Sequence, residues 1–320
     1  MQKVQFQNRP EKSTSADAPF PIAPPVKERL KVPHERLPKW IRIRPSSSPN
    51  YERVKNLIKS GKLHTVCEEA SCPNIRDCWD EGTATFMILG KHCTRSCNFC
   101  DVLKLPPKPV DPEEPRRLAE AVAGLGLKQV VITTVTRDDL PDGGASIFAR
   151  TVELLRRQDK DVKIELLVSD FGGNKENLEV VLDSHVDVLA HNVETVGRLH
   201  KRVRGAARLD RSLEMLRHMS EYRPRPVVKT GFMVGLGETF DELVELMWQI
   251  HAAGVDIVTI GQYLRPSLAH LPVERFYHPD EFAELAGIGR EIGLAHVEAG
   301  PLVRSSYKAF NQSRKLLEHG

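Results

Sequence analysis

The 320-residue sequence predicts an α/β fold: a partial, TIM-like (β/α)6 barrel, with an extension in front of it and a closing segment behind. Three observations carry this. From residue 85 onward, short apolar runs alternate with amphipathic runs of helical length, the pattern of βα units and a parallel sheet. The units number six, short of the eight that close a full barrel. Polar and charged residues also collect directly after the strand-like runs, where folds of this kind carry their chemistry.

The strand-like runs are residues 85–89, 130–134, 164–168, 186–190, 227–234 and 256–260, dominated by Val, Ile, Leu and Thr. Side chains of this kind suit a buried pleated surface. The helical runs are 113–123, 145–157, 175–182, 209–219, 240–253 and 279–292. Thr239-x-x-Glu242 has the form of a capping box at the start of one of them. A last strand-like run, 296–299, precedes the closing segment.

Four regions follow. Residues 1–26 are rich in Gln, Ser, Pro and Ala and read as a disordered tail. Glu11, Asp17 and the lack of an Arg-rich amphipathic pattern argue against a transit peptide. Residues 27–83 form an N-terminal extension, 84–300 the barrel, and 301–320 a C-terminal segment that closes it. Within the extension, Lys27, Arg29, Lys31, Arg36, Lys39, Arg42 and Arg44 face only Glu28 and Glu35. Such a run is either a solvated arm or a docking surface for an acidic partner.

Composition excludes several classes. With 40% hydrophobic and 28% charged residues the chain is ordinary for a globular protein. A net charge of +3 makes no case for nucleic acid. No apolar run reaches membrane-spanning length, and no secretory signal opens the chain. Neither nucleic acid nor membrane is therefore an expected partner, and the cytoplasm is the expected compartment.

All six cysteines lie between Cys67 and Cys100, as two triads: Cys67-x4-Cys72-x5-Cys78 and Cys93-x3-Cys97-x2-Cys100. Three thiolates can hold three corners of an iron–sulfur cluster and leave one iron open. Disulfide frameworks belong to short secreted chains, and this chain is long enough to bury a core without them. Zinc wants four ligands, commonly as two Cys-x2-Cys knuckles. Only His64 and His92 stand near enough in sequence to complete such a site.

The second triad directly follows the first strand of the barrel, so it sits on the first βα loop. The first triad precedes that strand. The other strand ends carry Arg137, Asp138, Asp139 and Asp142-Gly143-Gly144, then Asp170 with Gly172 and Gly173, then His191, Asn192 and Glu194. The fifth strand carries Lys229 and runs into Gly235-Leu236-Gly237-Glu238-Thr239, and the sixth leads to Gln262, Tyr263 and Arg265. Taken singly, these are also turn glycines, caps and a structural histidine. Their shared location is the signal.

Cys93-x3-Cys97-x2-Cys100, with Phe99 before its last cysteine, resembles the signature of the radical S-adenosylmethionine (SAM) enzymes. Cys67-Glu68-Glu69-Ala70-Ser71-Cys72-Pro73-Asn74, the segment 84–90 and Arg137-Asp138-Asp139-Leu140 resemble the lipoyl synthase family within them. So do the segments 233–239 and 261–264, His270-Leu271-Pro272-Val273, and Gly300-Pro301-Leu302-Val303-Arg304-Ser305-Ser306-Tyr307. The resemblance runs from about residue 39 to 307. Three positions depart from the family pattern. Thr230 and Phe232 stand where Ser and Leu are usual, and Ala190 where Asn is frequent.

The resemblance implies two [4Fe–4S] clusters and SAM as cofactors. Cys93, Cys97 and Cys100 would hold the cluster that chelates and cleaves SAM, giving a 5′-deoxyadenosyl radical. Asp142, Gly143 and Gly144 would lie near the methionyl amino group, Lys229 and Arg137 near the carboxylate, and Asn192, Glu194 and Glu238 around the ribose or adenine. Glycines 143, 144, 235 and 237 would let the backbone approach SAM. Cys67, Cys72 and Cys78, with Ser306 or else Ser305 as fourth ligand, would hold an auxiliary cluster that donates sulfur. The reaction implied is insertion of two sulfur atoms at C6 and C8 of an octanoyl group amide-linked to lysine. Partners implied are octanoylated lipoyl carrier domains (dehydrogenase E2 subunits and the glycine cleavage H protein), a reduced ferredoxin or flavodoxin, and a cluster-repair protein. The rival readings are another sulfur-inserting radical SAM enzyme, biotin-synthase-like or a methylthiotransferase, and an iron–sulfur electron carrier. A carrier would want four cysteines per cluster.

Overall fold

The structure is a computed structural model that describes residues 37–43 and 48–318. The expected tail, and Lys27, Arg29, Lys31, Arg36 and Arg44 of the basic arm, lie outside the described residues.

The extension, for which the sequence suggested no elements, folds into α1 (Pro49–Ser60), β1 (His64–Thr65), α2 (Val66–Glu69) and α3 (Ile75–Asp80). Ser48 caps α1 by accepting from the Tyr51 N–H, and Pro49 occupies the first turn. There a missing N–H costs nothing. Helix α1 buries Val54 and Ile58. Thr65 caps α2 in the same manner, accepting from the Glu68 N–H.

The barrel then runs β2 (Thr85–Ile88), α4 (Glu114–Leu125), β3 (Gln129–Thr134), α5 (Ala145–Gln158), β4 (Lys163–Leu167), α6 (Lys175–Leu182) and β5 (Val188–Ala190). It continues through α7 (His200–Arg204), α8 (Leu209–Glu221), β6 (Val227–Val234), α9 (Phe240–Ala252), β7 (Ile257–Gln262), α10 (Pro279–Ile292), β8 (His296–Gly300) and α11 (Ala309–Glu318). Strands follow one another in sheet order from β1 to β8. Among the described residues only the β1–β2 pair is antiparallel. The six expected βα units are present, and β8 adds a seventh parallel strand on β7, with Ile257 opposite His296.

Two boundaries differ instructively. The run 186–190 keeps only its last three residues as strand, because the Asp187 carboxylate takes the Ile164 N–H at 2.8 Å and the Arg156 guanidinium at 2.5 Å. The run 256–260 extends to Gln262, because Gly261 pairs with Gly300 on β8. The Thr239–Glu242 capping box forms as its pattern suggested.

Strands β2 to β8 do not close into a ring, and the C-terminal chain connects their ends. The Asn74 amide, beyond α2, donates to the Leu302 carbonyl at 2.6 Å. Beyond this contact α11 packs on β3 and β6, and Ser313 Oγ donates to Gln129 Oε1 at 3.1 Å. Inside the barrel Gln129 donates to Glu165, which accepts from Lys229 Nζ at 2.7 Å. No helix among the described residues is long and apolar enough to cross a membrane.

Candidate active site

All six cysteines are free thiols. Among the described residues no three His, Cys, Asp or Glu side chains converge on a single metal ion. A cuboidal cluster asks for something wider, since each of its irons takes its own thiolate. His64 and His92, the candidate zinc ligands, are engaged elsewhere. The His64 ring lies 3.6 Å from Glu69, and His92 Nδ1 lies 3.0 Å from the Pro106 carbonyl.

The second triad has no helix or strand of its own; contacts from four sides hold its loop. Thr94 N–H and Oγ1 both donate to the Thr136 carbonyl at 3.0 Å. Arg95, between Cys93 and Cys97, grips Asp138 with two nitrogens at 2.8 and 2.7 Å and reaches Asp170 at 2.7 Å. Asp170 is fully buried and also meets Arg211 at 2.8 Å. Asn98 binds the end of α7, its N–H on the Val203 carbonyl and its amide on the Arg202 carbonyl. From the 267–275 loop, the Leu271 N–H donates to the Asn98 carbonyl, and His270 Nε2 lies 3.1 Å from the Cys100 carbonyl.

Burial pushes the Cys100 thiol up to about 12, and the nearby Cys97, Cys93 and Glu194 charges push the same way. Cys97 is raised by burial too, against the pull of the Arg204 guanidinium. Buried thiols of this kind become thiolates only when a cation takes the proton's place, so cluster binding releases protons. Burial also raises Glu194, with Arg204 and an Asn192 hydrogen bond opposing it.

The first triad is built on α2 and α3. Burial raises Cys67 to about 11 and Cys78 to about 12, and in each case another thiol of the triad adds to it. The Cys67 sulfur meets the Thr85 backbone at the start of β2, while Glu69, between Cys67 and Cys72, reaches Lys91 beyond the other end of that strand at 3.9 Å. The C-terminal segment covers the site. Half-buried Arg304 lies beside Cys72 and opposes the upward push of burial there. Tyr307 lies within electrostatic reach of Cys78 and Asp77. Ser305 Oγ accepts from Asn192 Nδ2 at 3.2 Å, which ties the segment to the chain beyond β5. Ser306 has no hydrogen-bond partner among the described residues. Trp40, Arg42, Asp77, Tyr307 and Lys308 line a cavity of about 770 Å³ on this side.

Several residues expected to contact SAM have partners within the protein. Lys229 sits at the third position of β6, fully buried, and is committed to Glu165 inside the barrel rather than at the strand end. Arg137 lies at the strand ends but turns its fork onto Asp139, with two bonds of 2.8 Å. Asp142 caps α5, accepting from the Gly144 and Ser146 N–H groups at 2.9 Å each. Glu238 folds back on its own turn, accepting from Gly235 at 2.5 Å and Leu236 at 2.9 Å. The glycines answer to the protein's own packing. A Cβ on Gly144, at φ 92°, would stand 2.2 Å from Leu89, and one on Gly235, at φ 98°, 2.1 Å from Gln262. Gly143, at φ 59°, would press Phe171 at 3.0 Å. Glu194 lies within electrostatic reach of Cys97 and Cys100, and Asn192 bonds to it.

The sequence reading missed Arg95 and Arg204. Arg95 had a signal: a cation inside the cysteine spacer, with Asp138 and Asp170 already noted at strand ends. Arg204 had none, since only the fold of α7 brings it to Cys97.

Known proteins bear on this arrangement. Residues 87–249 match the Radical SAM superfamily, and residues 8–72 match the N-terminal domain of lipoyl synthase of that family. The lipoyl synthase of Bacillus cytotoxicus is 52% identical over 287 residues, covering 89% of this chain and 96% of its own. The chain belongs to the lipoyl synthase family. The lipoyl synthase of Symbiobacterium thermophilum gives the same identity over 91% of both chains. Family likeness therefore begins near residue 8 rather than at residue 39, and takes in much of the stretch read as a tail. Solved structures share the fold alone. Streptococcus suis SuiB bound to S-adenosylmethionine has a TM-score of 0.53 at 15% identity, covering 72% of this chain and 55% of that one. Methylornithine synthase has 0.51 at 14%, covering 82% of both. For a lipoyl synthase, the placement of the C-terminal segment against the first triad is the feature to explain.

Proposed function

We propose that this chain inserts two sulfur atoms at C6 and C8 of an octanoyl group amide-linked to lysine on a lipoyl carrier domain. One observation carries the reading beyond family membership: Arg304-Ser305-Ser306-Tyr307 closes over the first triad. Arg304 lies within electrostatic reach of Cys72 and Tyr307 within that of Cys78, while Ser305 is held by Asn192. Three thiols and a nearby uncommitted Ser306 hydroxyl suit a cluster with one oxygen ligand. A hard oxygen on soft iron–sulfur is the weakest bond of such a set.

The donor sets fit a [4Fe–4S] cluster at each triad. When bound, these clusters supply the electron that cleaves SAM at Cys93, Cys97 and Cys100, and the sulfur at Cys67, Cys72 and Cys78. The protein's own share is placement. Arg95, Asp138 and Asp170 hold the second loop in register. Arg204 sets a positive charge beside Cys97 and Glu194. Asn192 touches both sides, through Glu194 and through Ser305.

Octanoylated E2 and H-protein domains as substrates, ferredoxin or flavodoxin as reductant, a cluster-repair protein and a cytoplasmic setting complete the proposal. The test is anaerobic reconstitution followed by mass analysis of an octanoyl-lysine peptide. Gain of two sulfurs with loss of two hydrogens supports it. SAM cleavage with an unchanged peptide overturns it.

A further inference from the structure

Ser71 and Asp101 each adjoin a cysteine, but of different triads. Ser71 precedes Cys72, and Asp101 follows Cys100. Their side chains meet, with Ser71 Oγ donating to Asp101 Oδ2 at 2.5 Å. The triads are thus joined by a path of two peptide bonds and one hydrogen bond to an acidic side chain. Such bonds are shorter and stronger than neutral ones.

Both ends are held. Ser71 has φ 51°, a left-handed conformation uncommon outside glycine. That turn lets the Cys72 N–H reach back to the Cys67 carbonyl at 3.0 Å. Asp101 is buried, with 9% exposure, and its second oxygen lies 4.0 Å from His270 Nε2. The same His270 nitrogen is 3.1 Å from the Cys100 carbonyl. Nothing in the sequence suggested this pair, since neither residue is a ligand candidate and 29 residues separate them.

We propose that the Ser71–Asp101 hydrogen bond is the positioning contact that sets the first triad against the second. It rests on the function proposed above. Hydrogen removal is governed from the second triad and sulfur delivery from the first, and both must reach the same substrate chain. Misplacement by about 1 Å can cost on the order of a hundredfold in rate. A loosened contact therefore leaves SAM cleavage running and makes it unproductive.

The experiment compares the unmodified holoenzyme with Ser71→Ala, Asp101→Ala and the exchanged pair Ser71→Asp/Asp101→Ser. Aspartate tolerates the left-handed conformation, so the exchange can re-form the bond. Readouts are iron per chain, 5′-deoxyadenosine formed per sulfur inserted into an octanoyl-lysine peptide, and the magnetic coupling between the two reduced clusters. The expected result is unchanged iron, a ratio raised about tenfold or more in both single variants, weakened coupling, and recovery of both in the exchange. Unchanged ratio and coupling in the single variants overturn the proposal. So does iron loss that the exchange fails to restore, which marks the bond as a structural tie alone. If the unmodified enzyme cleaves SAM but inserts no sulfur, the functional reading falls, and the coupling measurement still decides the contact.

Discussion

The two cysteine triads are neighbours, joined through the Ser71–Asp101 contact, and are supported in different ways. The second rides on a loop without secondary structure, yet contacts from the β3 loop, the β4 loop, α7 and the 267–275 loop fix it. Its support is polar and part of the barrel. The first rides on short helices, and its cover is a segment from the far end of the chain, held through Asn74, Asn192 and Arg304. One site is built into the scaffold, and the other is closed by a piece that adjoins it. That contrast suits a cluster retained through turnover beside one that is opened and consumed.

Removing the second triad should have the largest effect. Cys93, Cys97 and Cys100 changed together to Ala should abolish reductive SAM cleavage and lower iron from about eight to about four per chain. Persistent 5′-deoxyadenosine formation would erase the distinction between the sites.

The same change at Cys67, Cys72 and Cys78 should leave SAM cleavage intact and stop sulfur insertion. Lipoyl product from that variant, read by mass, would refute the donor role of the first triad.

The C-terminal cover sharpens the comparison at single-residue level. Ser306→Ala should lose most sulfur insertion while SAM is still cleaved, and Ser306→Cys should keep the cluster but slow its opening. Ser305→Ala removes one hydrogen bond from Asn192, a loss of about 1 kcal/mol, and should be the milder change. A defect in Ser305→Ala with Ser306→Ala silent moves the ligand one residue earlier.

Support of the second loop can be weakened without touching a cysteine. Arg95→Met leaves the buried Asp170 with Arg211 as its remaining ion-pair partner among the described residues. Breaking such a buried pair costs roughly 3–5 kcal/mol. Denaturant unfolding should show that loss, with iron at the second triad falling before iron at the first.

The smallest effect is one of pH. His191 Nδ1 faces the Val168 carbonyl at 3.0 Å, so that nitrogen carries the proton and donates. Burial, and then the Arg204 charge, push His191 down to about 4. Its folded pKa lies below the unfolded value, so the unfolded chain binds a proton that the folded one refuses. Stability contributed here is complete above about pH 6.5 and declines toward pH 4, by at most about 1.4 kcal/mol per unit. A flat unfolding free energy between pH 6.5 and 5 would show that the ring is not buried neutral beside the second site.

Much of this was legible in the sequence because it is local. Cysteine spacing, strand and helix periodicity and the Thr239 capping box depend on neighbours a few residues away, and the barrel's six units follow from them. The rim assignments were less secure. Strand position alone did not reveal that the Lys229 side chain answers Glu165, or that Gly144 and Gly235 are small to accommodate Leu89 and Gln262.

What the sequence by itself determined is chemistry carried by short spacings: two thiol triads, an alternating α/β chain and a terminal serine pair. What the tertiary structure decided is which distant groups meet. Buried charges such as Arg95 and Lys229 must find partners wherever the fold offers them. The choice of partner, like the meeting of Ser71 with Asp101 or Asn192 with Ser305, depends on contacts that only a folded chain makes.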